Sequence, residues 1–232
     1  MRDYIKEREV QNRGSHFVWI KEIDIYNSQT LPDTVDIQAV LSEVEERIPP
    51  FMLSGIETIF FGEIAALAER DLDAMYENGT IYIRSSSVFN EEDLVDDILH
   101  EVSHSLEDKY GLDIYGDGSI EKEFLDKRVK LYKKLAANGM WMPPLVSFAN
   151  LDFDPDLDSY FYNTVGYPLL TSLTVNLFVS PYGATSLREY FANGFEKYFL
   201  GEHKSVKEIS PSISKKIEQL VTLSKESEYG TI

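Results

Sequence analysis

Residues 100–104 read His-Glu-Val-Ser-His, inside a stretch whose apolar residues recur at helical spacing. At about 100° per residue, Leu94, Val95, Ile98, Leu99, Val102 and Leu106 gather on one face of a helix. His100 and His104 fall on the opposite face, with Asp93, Asp97 and Glu107. Histidines at i and i+4 stand one above the other, about 5–6 Å apart at Cβ, so both imidazoles can reach one metal ion. The intervening Glu101 points to an adjacent face, within reach of a water at the site without being a ligand. A chain with this segment must bury one side of the helix and open the other onto a metal cleft.

Two imidazoles do not make a tight zinc site. A third protein ligand is needed, with one position left for water. The continuation H-E-x-x-H-x-x-G-x-x-H fails, because Glu107 stands at the glycine and Tyr110 at the last histidine. The remaining candidates are Glu107, Glu189, Glu196 and His203. Glu107 shares the helix of the two histidines and would approach from nearly their direction, which makes a poor tetrahedron. The helix expected over 185–200 carries Leu187, Phe191, Phe195 and Tyr198 as its apolar stripe and Glu189, Asn193 and Glu196 on the other side. Spacing alone does not choose between Glu189 and Glu196.

The segment Ser180-Pro181-Tyr182-Gly183-Ala184-Thr185-Ser186-Leu187-Arg188-Glu189-Tyr190-Phe191-Ala192-Asn193-Gly194-Phe195 resembles the second signature of the anthrax lethal-factor catalytic domain and the related Pro-Pro endopeptidases. In that family H-E-x-x-H is followed downstream by a tyrosine seven residues before a glutamate, within an E-aromatic-F-A-x-x-F helix. Tyr182 and Glu189 keep the separation of seven. The resemblance covers about 18 residues around the first motif and about 20 around the second. It implies a zincin fold, with His100, His104 and Glu189 as zinc ligands and Tyr182 as the phenol facing the substrate carbonyl. Asn193 stands where the lethal factor has an acid. Its amide oxygen can accept from a histidine N–H, raising ligand basicity less than a carboxylate would. The gap between His104 and Glu189 is long for the family, which marks residues 112–180 as an insertion or an enlarged lobe.

The activity so implied is that of a zinc metallopeptidase of the H-E-x-x-H…E type, cutting peptide bonds with a metal-activated water. Glu101 is the expected general base and Tyr182 the oxyanion donor. The alternatives are a catalytically silent zincin-fold interaction or assembly protein, and a zinc hydrolase of non-peptide bonds. Retention of both Glu101 and Tyr182 speaks against a silent protein.

Elsewhere, alternation and β-branched content predict strands over His16–Tyr26, Ile56–Phe61 and, after the Asn78-Gly79 turn, Thr80–Arg84. The last is read as a sheet edge on which an extended substrate pairs, through Ile81, Tyr82 and Ile83. Helices are expected over Thr34–Ile48, from Asn90 to near Gly111, and over Glu121–Ala137, Thr185–Leu200 and Ser210–Ser224, with a loop at 112–120. Asp152, Asp154, Asp156 and Asp158 read as an acidic surface loop, because an EF-hand's glycine and glutamate are missing. Strands come first and helices dominate later, which predicts an α+β fold. The expected form is a zincin-like two-lobed domain. Residues 1–111 hold a small mixed sheet and the zinc helix, and residues 112–232 form a mainly helical lobe with the third ligand.

The 232 residues carry 22 Lys+Arg against 40 Asp+Glu, a formal charge of −18, with 43% hydrophobic residues and no cysteine. Thiolate zinc sites and disulfides are thereby excluded, and nucleic acid is not an expected partner. Residues 1–118 hold 9 basic against 26 acidic residues. Such a field favours a protein or peptide substrate with a basic segment; oligomeric state is not encoded in any feature of the sequence. No membrane partner is expected, since no run approaches the length of a span. Met1–Glu9 is charged throughout, so a Sec-type signal peptide is not expected. The reading is a cytoplasmic protein or one exported by a non-Sec route.

Overall fold

The computed structural model describes residues 15–29, 31–69 and 72–229. The signal-peptide reading of Met1–Glu9 lies outside them. The chain divides into two compact units, Met1–Lys109 and Tyr110–Ile232. Together they are mixed α+β, the strands all falling in the first unit among the described residues.

The first unit is built on a five-stranded sheet: β1 Ser15–Trp19, β2 Ile23–Asn27, β3 Thr58–Gly62, β4 Ala74–Glu77 and β5 Thr80–Arg84. Their order is β1-β2-β3-β5-β4. β1 runs antiparallel to β2, β2 and β5 flank β3 in parallel, and β4 closes one side antiparallel to β5. Strand alternation separates two faces. Phe60 and Tyr82 form one cluster with Leu67, whereas Ile59, Phe61, Ile81 and Ile83, all fully buried, point the other way.

Among the described residues this unit also holds the α-helices α1 (Ile37–Arg47), α2 (Ala65–Glu69) and α3 (Glu91–Tyr115), α3 crossing its boundary. Asp36 caps α1, accepting from the Gln38 and Ala39 amides. Asn90 does the same for α3, its side-chain oxygen accepting from Asp93 N–H at 2.8 Å. The apolar stripe expected on α3 is buried throughout, each of Leu94, Val95, Ile98, Leu99, Val102 and Leu106 exposing 1% or less.

In the second unit α4 (Ser119–Ala137), α5 (Leu145–Ala149), α6 (Pro155–Ser159), a π-helical turn Tyr160–Val165, α7 (Tyr167–Thr174), α8 (Leu187–Phe199), α9 (His203–Ile209) and α10 (Pro211–Tyr229) follow in order. Aromatic rings fill its centre. Phe124 of α4 meets Tyr190 of α8 at 5.5 Å between centroids, and Phe178 meets Tyr190 at 5.7 Å. Among the described residues no helix is long and apolar enough to cross a membrane.

Four sequence expectations are corrected. His16–Tyr26 is two strands, because Glu22 at φ 67° turns the chain through residues 20–22. Residues 112–115 continue α3, which departs from helical geometry at Tyr110 (φ −117°, ψ 18°) and resumes. The aspartate run is loop only in its first half: Asp152 precedes α6, Asp154 caps it, accepting from the Asp156 and Leu157 amides, and Asp156 and Asp158 stand in its first turn. Finally, β5 is not a sheet edge. β3 and β4 occupy both its hydrogen-bonding sides, and Ile81, Tyr82 and Ile83 expose 0%, 4% and 0%. Among the described residues the edge on that side belongs to β4, a strand the sequence reading did not contain.

Candidate metal centre

The centre of α3 brings His100, Glu101 and His104 together. One ligand atom from each lies within 4.8 Å of the other two, and the imidazole centroids are 5.1 Å apart with the rings steeply inclined. Glu101 and His104 expose 6% and 9%, so their polar atoms must find partners inside the protein. The buried hydroxyls beside them are satisfied locally, Ser103 donating to the His100 carbonyl at 2.6 Å and Ser105 to that of Val102 at 2.7 Å.

Two contacts orient the cluster. Nδ1 of His104 lies 3.0 Å from Oε2 of Glu107, one turn further along α3. A carboxylate is an acceptor, so the contact suits a proton on Nδ1, the tautomer whose Nε2 is free to take a metal. Oε2 of Glu101 accepts the backbone N–H of Tyr76 at 2.6 Å. Tyr76 sits on β4, opposite Ile81. The two-residue Asn78-Gly79 turn, with both φ values positive, makes Glu77 and Thr80 a bonded pair. Tyr76, one residue on, therefore turns its N–H away from β5 toward the sheet edge. The carboxylate of Glu101 thus lies along the backbone of the edge strand.

In the second unit, Ser186 caps α8, its hydroxyl accepting the Glu189 N–H at 3.1 Å. Tyr182 opens the short 3-10 turn Tyr182–Ala184, and its carbonyl accepts the Thr185 hydroxyl at 2.7 Å. Asn193 donates its side-chain N–H to the Glu189 carbonyl at 2.8 Å. Burial raises the Asp158 carboxyl above the usual carboxylate range, with the charge of Glu189 adding to the effect. Of the other ligand candidates, Glu196 pairs with Lys197 at 2.9 Å, and His203 is exposed and stacks on Tyr198 at 4.2 Å between centroids. His16 stacks on Tyr26 and meets Asp24 at 3.1 Å.

Nitrogen and oxygen donors of this kind suit zinc and, by donor type, other first-row dications. Tetrahedral donors around zinc stand about 3.4 Å apart, so the two imidazoles, whose ligand atoms lie within 4.8 Å, can reach one ion by side-chain adjustment, with Glu101 beside it. Glu107 as the partner of His104 and the Tyr76 N–H as the partner of Glu101 were not foreseen. The first was visible in principle, since Glu107 follows His104 by three residues on the histidine face. The second needs the β4–β5 pairing.

A scan against protein-family models finds no match to this chain, and searches of curated proteins and of solved structures find none either.

Proposed function

We propose that the chain is a zinc-dependent endopeptidase with a zincin-like architecture. The observation that carries this reading is the cluster of His100, Glu101 and His104 with Glu107 behind His104. The residues to hold zinc are His100, His104 and Glu189, the last by its place seven residues after Tyr182. Bound there, zinc would supply Lewis acidity toward water and the substrate carbonyl.

The chain's own groups do the rest. Glu101 takes the proton from the attacking water and passes it to the leaving amine. Its fixed position against the Tyr76 N–H holds the carboxylate ready without a reorganisation at the moment of reaction. The Tyr182 phenol donates to the oxygen on which negative charge develops; one such donor is worth on the order of 10²–10³ in rate. With the outward N–H of Tyr76 held by Glu101, an extended substrate adds to the sheet at β4 through the remaining edge groups of that strand, in place of the β5 pairing that the topology excludes. The acidic first half, with 9 basic against 26 acidic residues in 1–118, favours basic segments as substrate.

Casein or peptide-library hydrolysis by the purified chain, with and without a zinc chelator, tests the activity. Cleavage that stops on chelation and returns with zinc is expected. Cleavage untouched by chelation overturns the reading.

A further inference from the structure

Arg128 is fully buried in α4, and among the described residues its guanidinium bonds carbonyls, with no carboxylate at hydrogen-bond distance. Instead it spends its donors on three backbone carbonyls. Nη1 donates to Ser147 at 3.1 Å and to Asn150 at 3.4 Å, and Nη2 donates to Thr185 at 2.5 Å. Nε is buried without a hydrogen-bond partner, and Cζ lies 4.7 Å from the Phe124 ring centroid. Burial pulls the group down to about 10, and Asp154 partly offsets this. A buried cation of this kind costs several kcal/mol in desolvation, so its retention calls for a use.

The carbonyls it gathers indicate one. Thr185 ends the 3-10 turn of Tyr182 and immediately precedes Ser186, the cap of α8. Ser147 and Asn150 belong to α5 and its C-terminal cap. The next residue, Leu151, accepts the Leu187 N–H at 2.8 Å, which satisfies the first amide of α8. Arg128 therefore reaches the start of α8 by two routes, directly through Thr185 and indirectly through the 147–151 segment.

We infer that Arg128 is a positioning residue that fixes the Tyr182 turn and the first turn of α8, and with them the directions in which Tyr182 and Glu189 project. The inference rests on the zinc reading above and deepens it. The planar fork directs its donors at these carbonyls in fixed directions; a lysine in its place carries the charge without that geometry.

The test is zinc affinity by competition with a chromogenic chelator, measured on the full chain for Arg128→Lys, Arg128→Met, Glu189→Ala and Lys216→Met. Amide hydrogen exchange over residues 182–189 is read alongside. Lys216, which bridges the Asp113 carbonyl at 2.8 Å and Asp117 at 3.0 Å, supplies a buried contact in the same unit away from this turn. Both Arg128 variants are expected to weaken zinc about tenfold or more and to speed exchange in 182–189. Lys216→Met is expected to lower the melting temperature with zinc affinity unchanged. Should Arg128→Met fail to fold, Arg128→Lys decides. Wild-type zinc affinity in Arg128→Lys, with zinc binding weakened in Glu189→Ala, overturns the inference and leaves the zinc reading standing. Wild-type affinity in Glu189→Ala removes the third ligand and the inference together.

Discussion

Nδ1 of His104 and Oε2 of Glu107 lie 3.0 Å apart on the buried middle of α3. A carboxylate behind an imidazole fixes its tautomer, holds the ring plane and raises the basicity of the far nitrogen. Glu107→Ala should therefore weaken zinc about 10- to 100-fold, with Glu107→Gln falling between it and wild type. Chelator competition measures both. An unchanged affinity in Glu107→Ala would deny the contact any part in metal binding.

The bond from Tyr76 N–H to Glu101 tests the base. Proline removes that N–H and is tolerated on an edge strand where the N–H points away from the ladder. Tyr76→Pro should lower peptide hydrolysis roughly tenfold relative to Tyr76→Ala, which keeps the N–H. Both lose the phenol that donates to the Gly55 carbonyl at 3.4 Å, so the comparison isolates the backbone group. Glu101→Ala should abolish hydrolysis and keep zinc. Equal rates in the two Tyr76 variants would contradict the role given to the bond.

Gly194 lies where α8 meets α10. A Cβ there would stand 2.8 Å from both Cδ1 and Cγ2 of Ile213. Alanine gains about 1 kcal/mol of helix propensity over glycine, but overpacking costs about 1–3 kcal/mol. Cγ2 sits on a branched Cβ and cannot swing aside, so the clash wins. Gly194→Ala should lower the melting temperature by a few degrees, and the added methyl should cost less in an Ile213→Ala background.

Lys127 predicts a pH dependence. Burial pulls its ammonium from 10.5 down to about 8, partly offset by Glu123. Between those values the unfolded chain holds a proton that the folded chain has released, so stability rises with pH across the window. Below pH 8 the cost of burying the charge is fully present. The stability of wild type relative to Lys127→Met should therefore grow from pH 8 to pH 10, by an amount on the order of 1–3 kcal/mol. Denaturant melts at each pH measure the difference. Burial raises the phenol of Tyr190 in both chains, so its contribution at higher pH cancels in the comparison. A difference that stays flat or falls would contradict the assignment.

Helices with a cap and a periodic stripe were legible before the structure. Asn90 opens its helix as the sequence indicates, whereas Asp36 and Ser186 cap theirs two and one residues after the expected starts at Thr34 and Thr185. What escaped has local causes. The turn at 20–22 contains no Gly, Pro or Asn to announce it, and β4 is four residues long without strong alternation. The edge position was misassigned to β5 because strand order is a long-range property. Glu57 and Thr58 N–H groups both reach the Gly79 carbonyl, a pairing that no window of sequence displays. In α8 the expected polar side is largely buried. Asn193 exposes 4% and Glu196 9%, because α8 packs among α4, α9 and α10. The partners of His104 and Glu101 were the part of the site that periodicity could only half reveal.

Anomalous diffraction at the zinc edge from crystals grown with zinc tests the central claim most directly. The account predicts a single strong peak within about 2.0–2.2 Å of one nitrogen each from His100 and His104 and of a carboxylate oxygen of Glu189. A peak held without Glu189, or no peak on the two histidines, would contradict it.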